Sequence, residues 1–277
     1  MISIFLMGGL GNQLFQIFTV IAYALEHKTP FKFKYSETLK SGIERPTYWN
    51  SFLKNLKSST TINDAELKFP ILREKGFEYT EIQHIKQNFM LYGYYQSYKY
   101  FEKNYNSIKR LIQLNKQQEQ ILEKYTEYFT NKHTISLHFR VGDYKHIQNC
   151  HPLMPINYYI NSIKYIVDKT NREKWNILYF CQQEDNTIVN SNIQNLKVVF
   201  PEVIFTKVDD DIDDWKQMLL MSCCKHNIIA NSTFSWWGAY FNDNADKIVC
   251  YPNMWFGPAL KHNTKDLFPN TWNKISI

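Results

Sequence analysis

Arginine is scarce in this chain. Arg45, Arg73, Arg110, Arg140 and Arg172 are the only ones, so almost all the positive charge is lysine. An arginine in an apolar setting is therefore more informative here than in an Arg-rich protein. Cysteine is sparse too. Cys150, Cys181, Cys223, Cys224 and Cys250 are odd in number, lack a framework spacing and include an adjacent pair. That pattern excludes a disulfide scaffold and predicts reduced, mostly buried thiols. No stretch approaches the roughly 18–20 apolar residues of a membrane span. The opening MISIFLMGG lacks a basic segment and reads as a buried strand, not a signal peptide. The sequon Asn231-Ser232-Thr233 falls inside a candidate site motif, which disfavours a glycosylating compartment. A cytoplasmic location is the resulting expectation. Lys and Arg total 32 against 26 Asp and Glu, a net charge of +6 spread along the chain. Such an excess suits anionic ligands but does not form the basic stripe of a nucleic-acid binder.

Aromatic side chains, by contrast, are plentiful: 16% of the residues, within a hydrophobic share of 44%. The 277 residues can fill one large domain or two ordinary ones. Ile2 to Met7 is a short apolar run ending in Gly8-Gly9, the pattern of a buried strand entering a tight turn. Leu14, Phe15, Ile17, Phe18, Ile21, Ala22 and Leu25 then recur at helical spacing, which predicts a helix over 12–27. Residues 31–35 alternate like a half-buried strand, 36–90 show no clear period, and 101–129 carry one long helical pattern. Beyond that, strands are expected at 134–139, 176–181, 197–200, 227–230 and 247–251. Helices are expected at 155–169, 186–194 and 215–224, with a short one from about 233. This alternation reads as a doubly wound parallel sheet, and a break near residue 130 divides the chain into 1–130 and 131–277.

Three segments combine turn-forming residues with groups that can do chemistry. In Gly8-Gly9-Leu10-Gly11-Asn12-Gln13 the glycines let backbone approach a ligand, and the following helix offers free N–H groups to anions. A dinucleotide fingerprint would place a third glycine at Leu14, so that reading is weak and a plain structural turn stays open. The amides of Asn12 and Gln13 suit sugar and phosphate oxygens. In His138-Phe139-Arg140-Val141-Gly142-Asp143-Tyr144 a strand runs into a turn rich in functional groups. A guanidinium there can grip a diphosphate through paired charge-assisted bonds, or can simply pair with Asp143. In Asn231-Ser232-Thr233-Phe234-Ser235-Trp236-Trp237-Gly238 the hydroxyls sit where a strand turns into a helix. Helix capping explains one of them but hardly three. Trp236 and Trp237 suit either core packing or a stacking surface.

GGLGNQLFQ at 8–16, HFRVGDY at 138–144 and NSTFSWWGAYF at 231–241 resemble the α-1,2-fucosyltransferases of glycosyltransferase family 11. Gly93-Tyr94-Tyr95-Gln96-Ser97 with Tyr100-Phe101 is similar to a fourth family segment. Leu220-Met221-Ser222 with Cys224-Lys225-His226-Asn227 is similar to a fifth. The resemblance implies an α/β fold of GT-B type, two Rossmann-like lobes with a donor cleft between them. Residues 1–130 would be the acceptor side and 131–277 the GDP-fucose side. It implies an inverting transfer of L-fucose from GDP-β-L-fucose to a glycan hydroxyl, taken as the 2-OH of galactose. No metal and no resident cofactor are implied, GDP-fucose being a co-substrate. Carried over by motif, His138 sits by the guanosine, and Arg140 holds the diphosphate as the catalytic cation. Asp143, Ser232, Thr233, Phe234 and Ser235 complete the donor site, which Gly9, Gly11 and Asn12 approach from the other lobe. Independently of the motif, the acceptor is expected near Tyr94, Tyr95 and Gln96, since aromatic faces and amides suit sugars. Val141 stands where many members carry a second arginine, and Cys181-Gln182-Gln183-Glu184-Asp185 departs from their usual Ser/Asp-rich turn.

The run Asp209-Asp210-Asp211 with Asp213-Asp214 contains metal-like D-x-D spacings. It precedes a helix whose dipole favours acidic residues, so it reads as a helix start, with Asp214 a lesser candidate for a donor contact. Two other readings remain: a catalytically weakened sugar-nucleotide or glycan-binding protein of the same fold, with Val141 as the lesion, and a nicotinamide-dependent dehydrogenase. No residue singles itself out as general base.

Overall fold

A computed structural model describes residues 1–40, 42–130 and 133–277. The chain forms two compact units, Met1–Lys116 with His262–Pro269, and Gln117–Lys261 with Asn270–Ile277. Residues 131 and 132, where the sequence pattern puts the division, lie outside the described residues. Contacts place it earlier, because residues 117–130 bond within the second unit. The Gln118 amide donates to Ser222 Oγ at 2.9 Å and to the Phe241 carbonyl at 3.0 Å.

In the first unit β1 (Ile2–Ile4) is wholly buried and leads through the glycine turn into α1 (Leu10–Glu26). That helix is buried almost all round, from Leu10 to Ala24 with Asn12 the exception, as its run of apolar residues requires. Next come β2 (Phe33–Lys34), a short antiparallel pair β3 (Thr38–Leu39) and β4 (Arg45–Pro46), then β5 (Thr60–Thr61), β6 (Ile71–Arg73) and β7 (Phe89–Tyr92). Strands β1, β7 and β6 lie side by side in that order, all parallel, with β7 central. The expected helix over 101–129 is broken into α2 (Tyr105–Leu111) and α3 (Leu114–Lys124). Ile108, Ile112 and Leu114 are all fully buried, and the chain turns to bury each of them through Gln113, which takes a left-handed φ of 55°.

The second unit contains β8 (Thr134–His138), α4 (Ile156–Thr170), β9 (Asn176–Phe180), α5 (Asn186–Val199) and β10 (Ile204–Lys207). It continues through α6 (Asp214–Cys223), β11 (His226–Ile228), α7 (Thr233–Tyr240), β12 (Val249–Pro252) and β13 (Asn273–Ile275). The six strands are all parallel in the order β10-β9-β8-β11-β12-β13. This is the doubly wound arrangement, whose direction of winding reverses between β8 and β11. Two local expectations fail. Residues 197–199 extend α5, because only Leu196 is buried there while Val198 and Val199 face water; the third strand comes later, at β10. β13 was not anticipated, since Asn273-Lys274-Ile275 is too short and polar to show a strand period.

Helix α4 fixes the strand ends that matter. Its buried Tyr158 hydroxyl lies 2.5 Å from the Ile229 carbonyl and 3.1 Å from that of Cys250, and Tyr159 donates to the His138 carbonyl at 3.3 Å. Below them Asn227 donates to Ser136 Oγ (2.7 Å) and the Met221 carbonyl (2.8 Å), and accepts from Asn242 (2.8 Å). These buried amides are satisfied, as a stable core demands.

Trp236 and Trp237 are completely buried. Trp236 stacks on Tyr240 at 4.7 Å and tilts against Trp272, so both indoles pack the core and neither offers a stacking face. Their helix is pressed onto α6 at Gly238, where an added Cβ would lie 2.8 Å from Met221 Cβ. Gly238→Ala is therefore expected to cost on the order of 1–3 kcal/mol, despite the better helix propensity of alanine. Denaturant unfolding should show a lower midpoint at unchanged slope.

Candidate functional site

In open parallel sheets ligands bind beyond the carboxyl ends of the strands, where the winding reverses. In the second unit that place lies between β8 and β11, and the second and third motifs both emerge there. β8 delivers His138 and the turn through Tyr144; β11 delivers Asn231 and the start of α7. The His138 and Phe234 rings come within 5.6 Å of each other, and Tyr144 Oη donates to the Asn231 carbonyl at 3.2 Å.

Arg140 is largely covered, its side chain 19% exposed, and it lies over the Tyr144 ring at 4.8 Å. One guanidinium nitrogen donates to Gln182 Oε1 at 2.8 Å, and another pairs with Asp143. The Arg140–Asp143 pairing that the sequence left open is thus present. A guanidinium carries five N–H donors, so these bonds orient it without exhausting it. Asp185, fully buried just beyond β9, accepts from Gly142 N at 2.7 Å and pairs with Lys145 at 2.6 Å. Gln182 and Asp185 thereby hold the turn from the neighbouring strand. Sequence reasoning marked 181–185 only as a departure from the family's usual turn and gave neither residue a role; the further signal was their position past the end of a strand next to β8.

Two polar atoms in this region are buried without a partner: His138 Nδ1 and Asn231 Oδ1. The Asn231 amide nitrogen is occupied, donating to the Pro152 and Trp255 carbonyls at 3.0 and 3.2 Å. A buried polar atom left unbonded costs about 1–3 kcal/mol, so two of them at the ends of adjacent strands suit a site that a ligand completes. Ser232 occupies the N-cap of α7, yet its side chain makes no cap bond, so capping does not account for its hydroxyl. Ser235 Oγ donates back to the Ser232 carbonyl at 3.3 Å. Thr233 and Phe234, both partly exposed, open the first turn of α7, where backbone N–H groups favour anions.

Val141, by contrast, points into the hydrophobic core. The acidic run is a helix start, as expected: Asp213 occupies the N-cap position of α6 without a side-chain cap bond and pairs with Lys216 at 2.6 Å, and Asp214 lies in the first turn. Asp210 pairs with Lys207 and accepts from Asn186 at 2.9 Å. Among the described residues no group of three or more His, Cys, Asp or Glu converges as a metal site. All five cysteines are free thiols, and no helix among the described residues is long and apolar enough to cross a membrane.

In the first unit the glycine turn, the end of β6 and the end of β7 assemble at one edge of the sheet. Gly8 takes a φ of +76°, where an added Cβ would strike the Asn12 amide at 2.4 Å, whereas a Cβ on Gly9 would meet open space. Gly9 caps α1, Gly11 lies buried in its first turn, and Asn12 Oδ1 accepts from Gln96 at 2.9 Å. Gln13 is turned inward, donating to the Gly8 and Pro46 carbonyls, so its amide pins the turn. Gln96 is buried, and Tyr94 is exposed.

The sequence model of glycosyl transferase family 11 matches residues 1–276. An α-1,2-colitosyltransferase of Escherichia coli is 28% identical over 98% of this chain and 97% of its own length. The O-antigen biosynthesis glycosyltransferase WbnK of Escherichia coli is 31% identical over 68% of this chain; the match spans only 61% of that relative. Among solved structures, POFUT1 in complex with GDP superposes with a TM-score of 0.52 at 11% identity, covering 90% of this chain and 97% of that one. At that identity the likeness concerns the fold, which is of the GT-B class.

The His138 imidazole is held neutral. Burial, and then the charge of Arg140, push its pKa down from 6.5 to about 3. Between those values the unfolded chain binds a proton that the folded chain refuses, so stability rises with pH and falls on acidification. His226, pushed down to about 4 by burial and then by Lys225, acts in the same direction. His138→Gln is expected to flatten the fall in unfolding free energy between pH 6.5 and 4, leaving the share due to His226. Denaturant titrations across that range measure both.

Proposed function

Because the chain belongs to glycosyl transferase family 11, we propose that it is an inverting transferase moving L-fucose from GDP-β-L-fucose to a glycan hydroxyl, the 2-OH of galactose. The observation that carries this reading is the joining of an oriented guanidinium, two unsatisfied buried polar atoms and a helix N-terminus at the reversal between β8 and β11. As the glycosidic bond breaks, negative charge grows on the departing diphosphate. Preorganised cations and N–H dipoles stabilise such charge most where water is excluded. Arg140 supplies the cation, turned toward the diphosphate by Gln182, while the first turn of α7 supplies N–H groups and the Ser232 and Thr233 hydroxyls. The His138 and Phe234 rings offer flat faces beside the guanine. Gly9, Gly11 and Asn12 provide close backbone approach and an amide, and Tyr94 and Gln96 receive the acceptor.

This chemistry is proposed to run without a metal, the fixed charges doing what a cation would. The full-length relative named as an α-1,2-colitosyltransferase supports a second reading, in which the donor is GDP-colitose. Colitose lacks the 3-hydroxyl of fucose, so a site built to hydrogen-bond that hydroxyl prefers fucose and an apolar one accepts both. The weakened-binder reading leans on Val141, which lies in the core away from the polar groups.

Incubation with GDP-fucose, GDP-colitose and UDP-sugars plus galactosides, with EDTA present, followed by mass spectrometry, tests these readings together. Fucosyl transfer undiminished by EDTA is the expected result. GDP-fucose binding without turnover would favour the binder, and dependence on added divalent ions would remove the metal-free scheme. Arg140→Ala should slow transfer on the order of 10²–10³-fold, the scale of a lost transition-state donor. Near-wild-type turnover in that variant would take Arg140 out of the chemistry.

A further inference from the structure

Hydrogen bonds to Gln182 and Asp143 set the direction of the Arg140 nitrogens. Such bonds lie in the plane of a guanidinium and leave its faces to other groups. Its central carbon lies over the Tyr144 ring, 4.8 Å from the centroid. That ring is itself fixed. Its hydroxyl donates to the Asn231 carbonyl at 3.2 Å, and the His151 imidazole stacks on it at 4.7 Å with the planes 22° apart. His151 in turn meets the Phe256 ring at 5.6 Å. The result is a column of guanidinium, phenol, imidazole and phenyl. The loops that carry it are tied together through their backbones: Gly257 N donates to the Cys150 carbonyl at 2.8 Å, and Ala259 N to that of Asn149 at 2.9 Å. At Gly257 an added Cβ would lie 2.3 Å from the Asn149 oxygen, so these segments are pressed together. The Asn231 amide bridges the same loops, at Pro152 and Trp255. All these residues belong to the second unit, with Arg140. Backing of this extent suits a guanidinium that must keep one position.

We infer that Tyr144 is a positioning residue of the transfer: its ring supports the Arg140 guanidinium, and its hydroxyl ties that ring to Asn231, just before α7. This role rests on the fucosyl-transfer reading above, in which Arg140 meets the diphosphate. Tyr144 acts through Arg140 and needs no contact of its own with sugar or phosphate. Gln182 and Asp143 fix the nitrogens within the guanidinium plane, whereas the ring keeps that plane from tilting. Cation–π attraction strengthens where water is excluded, and Arg140 is largely covered. A displaced guanidinium meets the growing charge of the leaving diphosphate poorly. Loss of the ring therefore slows transfer at least as much as it weakens binding.

A double-mutant cycle tests this. GDP affinity by calorimetry, kcat of transfer and melting temperature are measured for wild type, Tyr144→Phe, Tyr144→Leu, Arg140→Ala and the Leu/Ala double variant. Tyr144→Leu should weaken GDP binding roughly 5–30-fold, the scale of a covered cation–π pair, and lower kcat at least as much. Tyr144→Phe keeps the ring and should stay within about threefold of wild type. In the Arg140→Ala background the Leu substitution should change either quantity by less than about twofold, because the group it positions is gone. A structural role alone would give the same loss in both backgrounds together with a lower melting temperature. That outcome, or a Phe variant as impaired as Leu, overturns the inference. A wild-type chain that binds GDP but transfers no fucose refutes the donor reading, and the binding cycle then decides the role of Tyr144 by itself. A wild-type chain that does not bind GDP overturns both.

Discussion

The candidate donor site depends on parallel pairing between β8 and β11. Residues paired across these strands are 91 positions apart in sequence, yet the pairing brings His226 opposite Ile135 and Ile228 opposite Leu137, so the two strands end almost level. A slip of one residue would exchange the faces of every side chain and send His138 and Asn231 to different sides of the sheet. Register is fixed from two directions: by the buried amide of Asn227 bonding to Ser136, and by the adjacent tyrosines of α4 gripping the carbonyls of Ile229 and His138. The functional groups then need little more than their own turns to converge.

Electrostatic order follows from that placement. Arg140 is neutralised in part by Asp143, and the fully buried Asp185 is matched by Lys145 and a backbone N–H. Removing either partner of such a pair leaves a charge without compensation, so these residues act as a connected set. The turn can thus present a guanidinium in a covered setting where charge–charge interactions are strong, and the same covering keeps the neighbouring imidazole uncharged.

Much of this was legible in the sequence. The strand–turn–helix alternation after residue 133 announced the parallel sheet, and the clustering of His, Arg, Asp and hydroxyls marked the two strand ends that the sheet brings together. What failed to show has physical reasons. A strand such as β13 is too short for a period, and the exposed valines at the end of α5 imitate a buried run. Gln182 and Asp185 act across strands, and side chains that support a turn from a neighbouring segment leave no spacing to read.

The glutamines of the first motif bear on how relatives should be compared. Gln16 uses both ends of its amide on Met7, accepting from N at 2.9 Å and donating to O at 3.2 Å, in effect an extra rung on a strand that has just run out. With Gln13 it forms a polar lock under α1, whose apolar neighbours admit almost no change of volume. Such positions would persist through evolutionary drift even in a descendant that had abandoned its chemistry. Retention of Gln13 and Gln16 is thus a record of architecture, and divergence of activity is better sought in the exposed residues at the strand ends.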